Sequence, residues 1–135
     1  MRNTEILLDT HIILWMISGN EKLSQKARLL IKQNIGRIYY SIASMWEVQI
    51  KYMVGKMPIS GIEFMHYCEQ SGYHKLPIDD LHVAKLAGLE RSEGAPAHND
   101  PFDRIMISQA KAEGFLFLSH DSMLADYNEP CVIQV

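Results

Sequence analysis

The chain has 135 residues, of which 47% are hydrophobic and 21% charged. That is the usage of an ordinary globular domain, and it excludes a disordered chain, a collagen-like chain and a small disulfide scaffold. Lys plus Arg is 13 against 16 Asp plus Glu, a net charge of −3, so no global basic surface marks a nucleic-acid binder.

The length fits one domain over 1–135, large enough for a core without covalent staples. Cys68 and Cys131 have no metal-ligand spacing. They read as buried thiols of a reducing cytosol, with a single bridge between them left open. Met1-Arg2-Asn3-Thr4-Glu5 leads into too short an apolar run for a signal peptide. No uncharged stretch approaches the roughly 20 residues of a membrane helix. The expectation is a soluble, cytoplasmic protein.

Short apolar runs alternate with helical patterns along the chain. Ile6-Leu7-Leu8 is a buried-type strand ending at Asp9, and Thr10 to Ile17 is helical up to Gly19-Asn20. Ser24 caps a helix through Ile31, with Gly36 as the stop. Arg37 to Ser41 has β-branched and aromatic strand character. Ser44 to Tyr52 is helical, with Trp46, Ile50 and Met53 spaced for one apolar face. Ser60 to Gln70 is another helix, and Tyr73 to Ile78 a short extended piece. Asp79 caps a helix carrying Val83, Leu86, Ala87 and Glu90. A loop rich in Gly, Pro and small residues follows at 92–99, beside the most distinctive motif of the chain. Asp100 to Glu113 is a helix stopped by Gly114. Phe115 to Ser119 is a strand, Ser122 to Tyr127 a helical turn, and Cys131-Val132-Ile133 a last strand. Wholly apolar strands alternating with helices predict an α/β fold with a parallel sheet covered on both faces.

In such a sheet the ligand crevice lies outside the carboxyl ends of the strands. Asp9 directly follows the first strand, and Asp121 follows the fourth with His120 between. Taken singly, each acid reads as a helix cap: Asp9 or Thr10 for one helix, Asp121 for the turn at Ser122. In Asp100-Pro101-Phe102-Asp103-Arg104, Asp100 suits the cap and Pro101 the first helical position. The helix dipole favours an acid at Asp103, but many residues serve there, so Asp103 is assigned to chemistry. Glu47 has Lys51 four residues on, the spacing of a surface ion pair, and it also flanks the apolar face.

The four acids together say more than each alone. Asp9, Glu47, Asp103 and Asp121 come from four separate elements. Converged, they repel one another, and Arg104 is the one basic residue beside them in the motifs. The usual resolution is a hard divalent cation, Mg²⁺ or Mn²⁺, held by oxygen ligands.

Leu7-Leu8-Asp9-Thr10-His11, Ser44-Met45-Trp46-Glu47, Asp100-Pro101-Phe102-Asp103-Arg104 with Ile105 to Ala110 after it, and Leu118-Ser119-His120-Asp121 occur in that order. This ordered set resembles the PIN domain, and within it the VapC-like ribonuclease toxins of toxin–antitoxin pairs, in the subgroup with Asp-Pro-Phe-Asp-Arg. The resemblance spans essentially the whole chain. It implies a three-layer α/β/α fold around a parallel sheet of about five strands. It implies metal held by Asp9, Asp103, Asp121 and Glu47, with Asp100, Thr10 and Ser119 in support. The family often has Thr-x-Asp where this chain has Ser119-His120-Asp121, and Ser keeps the hydroxyl. The implied reaction is endonucleolytic hydrolysis of RNA leaving a 5′-phosphate, with Arg104, His11 and His98 as RNA contacts and Lys51 and Arg37 as further ones. The implied partners are RNA, a cognate antitoxin and a second copy of the chain, covering apolar residues such as Ile12, Ile13, Trp15, Met16 and Met53. Trp15, Trp46, Tyr39, Tyr40 and the methionines are otherwise assigned to the core. Two rivals remain: a receiver- or phosphatase-like phosphotransfer domain, disfavoured because no Lys follows an apolar strand, and a catalytically silent binding module on the same fold.

Overall fold

A computed structural model describes residues 4–135. Met1-Arg2-Asn3, the start weighed above as a signal sequence, lies outside the described residues.

Five strands form one sheet: β1 (Ile6–Leu8), β2 (Ile38–Ser41), β3 (His74–Leu76), β4 (Leu116–Ser119) and β5 (Val132–Gln134). Their order is β3-β2-β1-β4-β5, and every pairing is parallel. β1 is central, with Leu8 opposite Tyr40 on one side and Leu118 on the other. Among the described residues six α-helices accompany the sheet: α1 (Thr10–Ser18), α2 (Gln25–Gln33), α3 (Ile42–Met53), α4 (Gly61–Gln70), α5 (Asp80–Ala84) and α6 (Pro101–Glu113).

The period of two along each strand sends alternate side chains into two cores. Ile6, Leu8, Ile38, Tyr40 and Leu118 meet α1, α2 and α4 through Ile13, Ile31, Phe64 and Cys68. Leu7 and Phe117 point the other way, into a core with Ile105, Met106, Ile107 and Ala110 of α6. Both faces of the sheet are covered, which is why the strands carry no polar alternation.

Local sequence sets the helix ends. Ser24, Ser41 and Ser60 accept backbone N–H groups at the starts of α2, α3 and α4. Gly19 and Gly114 close α1 and α6 in the left-handed conformation.

Three expectations need correction. Trp46, Ile50 and Met53 do share one face of α3, but that face looks outward, with exposures of 56%, 40% and 71%. α3 buries Ala43, Ser44, Glu47 and Val48 instead. Periodicity identifies a face and is silent on which side the core lies. Conversely, Ile12 and Ile13 need no partner, because they are buried in the chain's own core. The helix expected after Asp79 breaks at Ala84 into a 3-10 turn, where the His82 carbonyl accepts the Ser108 hydroxyl, and Val83 is exposed. Cys68 and Cys131 are both free thiols, and burial pushes them up to about 12 and about 11.

α4 starts hard against α3. A Cβ on Gly61 would lie 2.9 Å from the Met45 carbonyl oxygen and 3.1 Å from Gln49 Cβ. Gly61→Ala is therefore expected to cost about 1–3 kcal/mol, read as a lower urea midpoint at unchanged slope. Gly88→Ala, whose Cβ would meet only Lys111 Nζ at 3.8 Å, should stay within about 0.5 kcal/mol.

Candidate functional site

The chain leaves β1 for β2 on one side, while β4 lies on the other. The C-terminal ends of β1 and β4 thus flank the point where the strand order reverses, the usual crevice of an open parallel sheet. A cavity of about 300 Å³ opens there, lined by Asp9, His11, Trp15, Glu47, Lys51, Asp100, Asp103, His120 and Asp121. All four acids singled out from the sequence face it, and so does Asp100.

Asp9 ends β1 and caps α1. Its Oδ1 accepts from the Thr10 N–H at 2.7 Å, and its Oδ2 accepts from the Ser119 hydroxyl at 2.7 Å. The second bond ties β1 to β4 across the crevice. Burial raises the Asp9 carboxyl to about 6, against the two hydrogen bonds, and the Glu47 charge adds to the rise.

Glu47 projects from α3 and is only 7% exposed. Its Oε1 accepts from the Thr10 hydroxyl at 2.8 Å, and its Oε2 meets Lys51 Nζ at 2.8 Å. The ion pair with Lys51 and the cavity-facing position are both real. Thr10 lies 2.8 Å from the Ser44 hydroxyl as well, so α1 and α3 are locked together beside the acid.

Asp100 caps α6, with Oδ1 accepting from the Phe102 and Asp103 N–H groups. That aims Asp103, in the first turn, into the cavity. Its carboxyl is pushed up to about 8, by burial first and then by the charges of Asp9, Asp100, Glu47 and Asp121. Asp121 follows β4, takes the Met123 N–H on Oδ1, and donates its own N–H to Ser119 Oγ. Capping and convergence are therefore the same residues in the same conformation, not alternatives.

Two residues near the acids complete the site, the Lys51 partner read from the spacing and a histidine whose role the sequence did not show. Lys51 supplies an internal cation, but it neutralises Glu47 alone. His98 is drawn inward: its Nε2 stands 3.2 Å from Asp103 Oδ2, and its side chain is 7% exposed. Ligand atoms of His98, Asp103 and Asp121 lie within 4.8 Å of one another, the one such metal-competent triplet among the described residues. The local signal was present, a His five residues before Asp103 on the loop, but only tertiary folding turns it toward the acid.

The expected RNA contacts divide. His11 lies exposed at the cavity rim. His98 is buried against Asp103 rather than presented to solvent. Arg104 reaches Tyr127 Oη at 3.2 Å and is not among the cavity-lining residues. Arg37 precedes β2, at the opposite end of the sheet, and pairs with Glu5 at 3.0 Å.

The donor set suits a divalent cation. Crowded carboxylates without enough basic partners hold protons near neutral pH unless a cation replaces them.

Residues 6–130 match the family model for the PIN domain. The chain belongs to the PIN domain family. The receiver-like alternative is thereby set aside. Among solved structures, a chain of the DNA-bound VapBC2 complex of Rickettsia felis matches with a TM-score of 0.67 at 17% identity, covering 96% of this chain and 98% of that one. A chain of the DNA-bound VapBC of Salmonella typhimurium gives 0.65 at 18%, covering 97% and 98%. A toxin–antitoxin complex from Klebsiella pneumoniae gives 0.64 at 14%, covering 96% and 97%. These likenesses establish a shared fold. No curated protein matches in sequence. Among the described residues, no helix of this PIN domain is long and apolar enough to cross a membrane.

The raised carboxyls set a pH dependence. Folded Asp9 and Asp103 hold protons that the unfolded chain releases near 3.8. Their contribution is fully present below about 4 and is lost as pH rises through about 6 and about 8. In chelator, the melting temperature of this PIN domain should fall between pH 5 and pH 8. Asp103→Asn should flatten that slope, and a divalent cation should raise the melting temperature more at pH 8 than at pH 6.

Proposed function

We propose that this PIN domain is a divalent-cation-dependent endoribonuclease, the toxin of a toxin–antitoxin pair acting in the cytoplasm. The observation that carries it is the convergence of Asp9, Glu47, Asp103 and Asp121, from four separate elements, on one cavity where, among the described residues, Lys51 on Glu47 is the one Lys or Arg paired with an acid. Such a pocket repels phosphate until a cation inverts its sign. The likeness to chains of VapBC and other toxin–antitoxin complexes supports the toxin role and a cognate antitoxin as partner.

In this reading Asp9, Asp103, Asp121 and Glu47 hold Mg²⁺ or Mn²⁺. When bound, the cation lowers the pKa of a water and polarises the scissile phosphate. The chain's own residues do the rest. Ser119 and the Thr10 N–H orient the Asp9 carboxylate. The Thr10 hydroxyl donates to Glu47 Oε1 and Lys51 Nζ to Oε2, so the carboxylate is fixed in place either to ligate or orient the cation or to accept a proton from the attacking water. Lys51 and His11 line the cavity where an RNA backbone enters, and contacts of this kind position the strand without reading sequence. The outward face of α3, with Trp46, Ile50 and Met53, offers apolar surface for a second copy of the chain.

Structured RNA incubated with the purified protein should be cut in Mg²⁺ or Mn²⁺ and left intact in chelator, with 5′-phosphate ends. Asp9→Asn and Asp103→Asn, folded by circular dichroism, should each lose about 100-fold or more in rate. Thr10→Val, which removes the hydroxyl from Glu47, should cost about 10- to 100-fold. Cleavage that persists in chelator or in the two Asn variants overturns the reading. RNA bound but never cut leaves the silent binding module.

A further inference from the structure

The loop at 92–99 is braced rather than loose. Arg91 Nε and Nη2 both donate to the Pro96 carbonyl, and the Arg91 guanidinium lies 4.8 Å from the centre of the Tyr127 ring. This bracing carries His98 to Asp103. His98 Nδ1 stands 2.7 Å from Tyr127 Oη, and Nε2 stands 3.2 Å from Asp103 Oδ2.

The protons around Tyr127 decide which imidazole nitrogen is free. The hydroxyl has one proton and two acceptors within reach, the His98 carbonyl at 3.2 Å and, in one imidazole tautomer, Nδ1 at 2.7 Å. Its oxygen accepts from Arg104 Nη1 at 3.2 Å. With the Tyr127 proton on the carbonyl, the tautomer that satisfies the 2.7 Å contact has Nδ1–H donating to Tyr127 Oη. Nε2 then carries a lone pair, pointed at a carboxylate oxygen 3.2 Å away. Two acceptors at that distance repel unless a proton or a cation lies between them. An Asp121 oxygen completes the triplet within 4.8 Å. A ligating imidazole usually donates its other N–H to a fixed acceptor, the part Tyr127 plays here.

We propose that His98 Nε2 is a nitrogen ligand of the divalent cation, alongside Asp103 and Asp121, and that it tunes the site toward Mn²⁺ over Mg²⁺. The proposal rests on reading the cavity as a cation site. Mg²⁺ holds to oxygen donors, whereas imidazole nitrogen favours transition-metal ions.

The test uses the full chain loaded with Mn²⁺ and electron spin-echo envelope modulation, which detects directly bound ¹⁴N. Wild type should show nitrogen coupling, and His98→Gln should lose it while still binding Mn²⁺. Titrations should show Mn²⁺ affinity falling about 10- to 100-fold in His98→Gln and Mg²⁺ affinity changing less than about 3-fold. If His98→Gln does not fold, the wild-type spectrum alone decides. Nitrogen coupling absent from wild type, or equal loss for both ions, overturns the proposal and leaves His98 orienting Asp103. A protein that binds Mn²⁺ and cuts RNA through oxygen ligands alone loses this assignment but keeps its proposed function. A wild type that binds neither ion loses both.

Discussion

Carboxylates brought together in a desolvated pocket repel, and this PIN domain is built around that repulsion. Asp9 is 5% exposed and Glu47 7%, and both face the cavity that Asp103 and Asp121 enter. Burial and mutual charge hold the Asp9 carboxyl near 6 and the Asp103 carboxyl near 8. A fold that only needed stability would fill such a space with apolar groups. Keeping it anionic costs stability in the metal-free protein and stores a preference for whatever positive charge arrives.

The scaffold tolerates the strain because most of these acids also do structural work. Asp9, Asp100 and Asp121 each accept a backbone N–H at the start of a helix or helical turn. Hydroxyls supply the remaining support: Ser119 on Asp9, and Thr10 on Glu47 with Ser44 behind it. These bonds run between β1, β4, α1 and α3. Removing one hydroxyl therefore shifts a carboxylate without opening a core. The sheet order places β1 and β4 side by side with diverging connections, so the acids need no special backbone to meet.

Charge at the site is unevenly balanced. Lys51 satisfies Glu47, and His98 faces Asp103, while Arg104 is turned to Tyr127 and Arg37 lies at the far end of the sheet. Arg104, next to Asp103 in sequence, thus turns away, while Lys51, one turn after Glu47, and His98, five residues before Asp103, reach the acids. The same holds for apolar surface. Ile12 and Ile13 vanish into the core, whereas Trp46 stands half exposed with its ring edge-on to Phe102 at 5.1 Å.

The parallel sheet, the helix caps and the four acids were legible from the chain alone, because each is written in local chemistry. Apolar triplets such as Ile6-Leu7-Leu8 announce buried strands, Gly114 announces a helix end, and an Asp after a strand sits where ligands bind. What only the tertiary structure decided is orientation: which face of α3 looks outward, that His98 turns in while Arg104 turns away, and that Glu47 faces the cavity while paired with Lys51. Periodicity and spacing fix the relative placement of side chains within an element. The direction in which that element is rotated comes from packing between segments distant in the chain, and no local pattern encodes it.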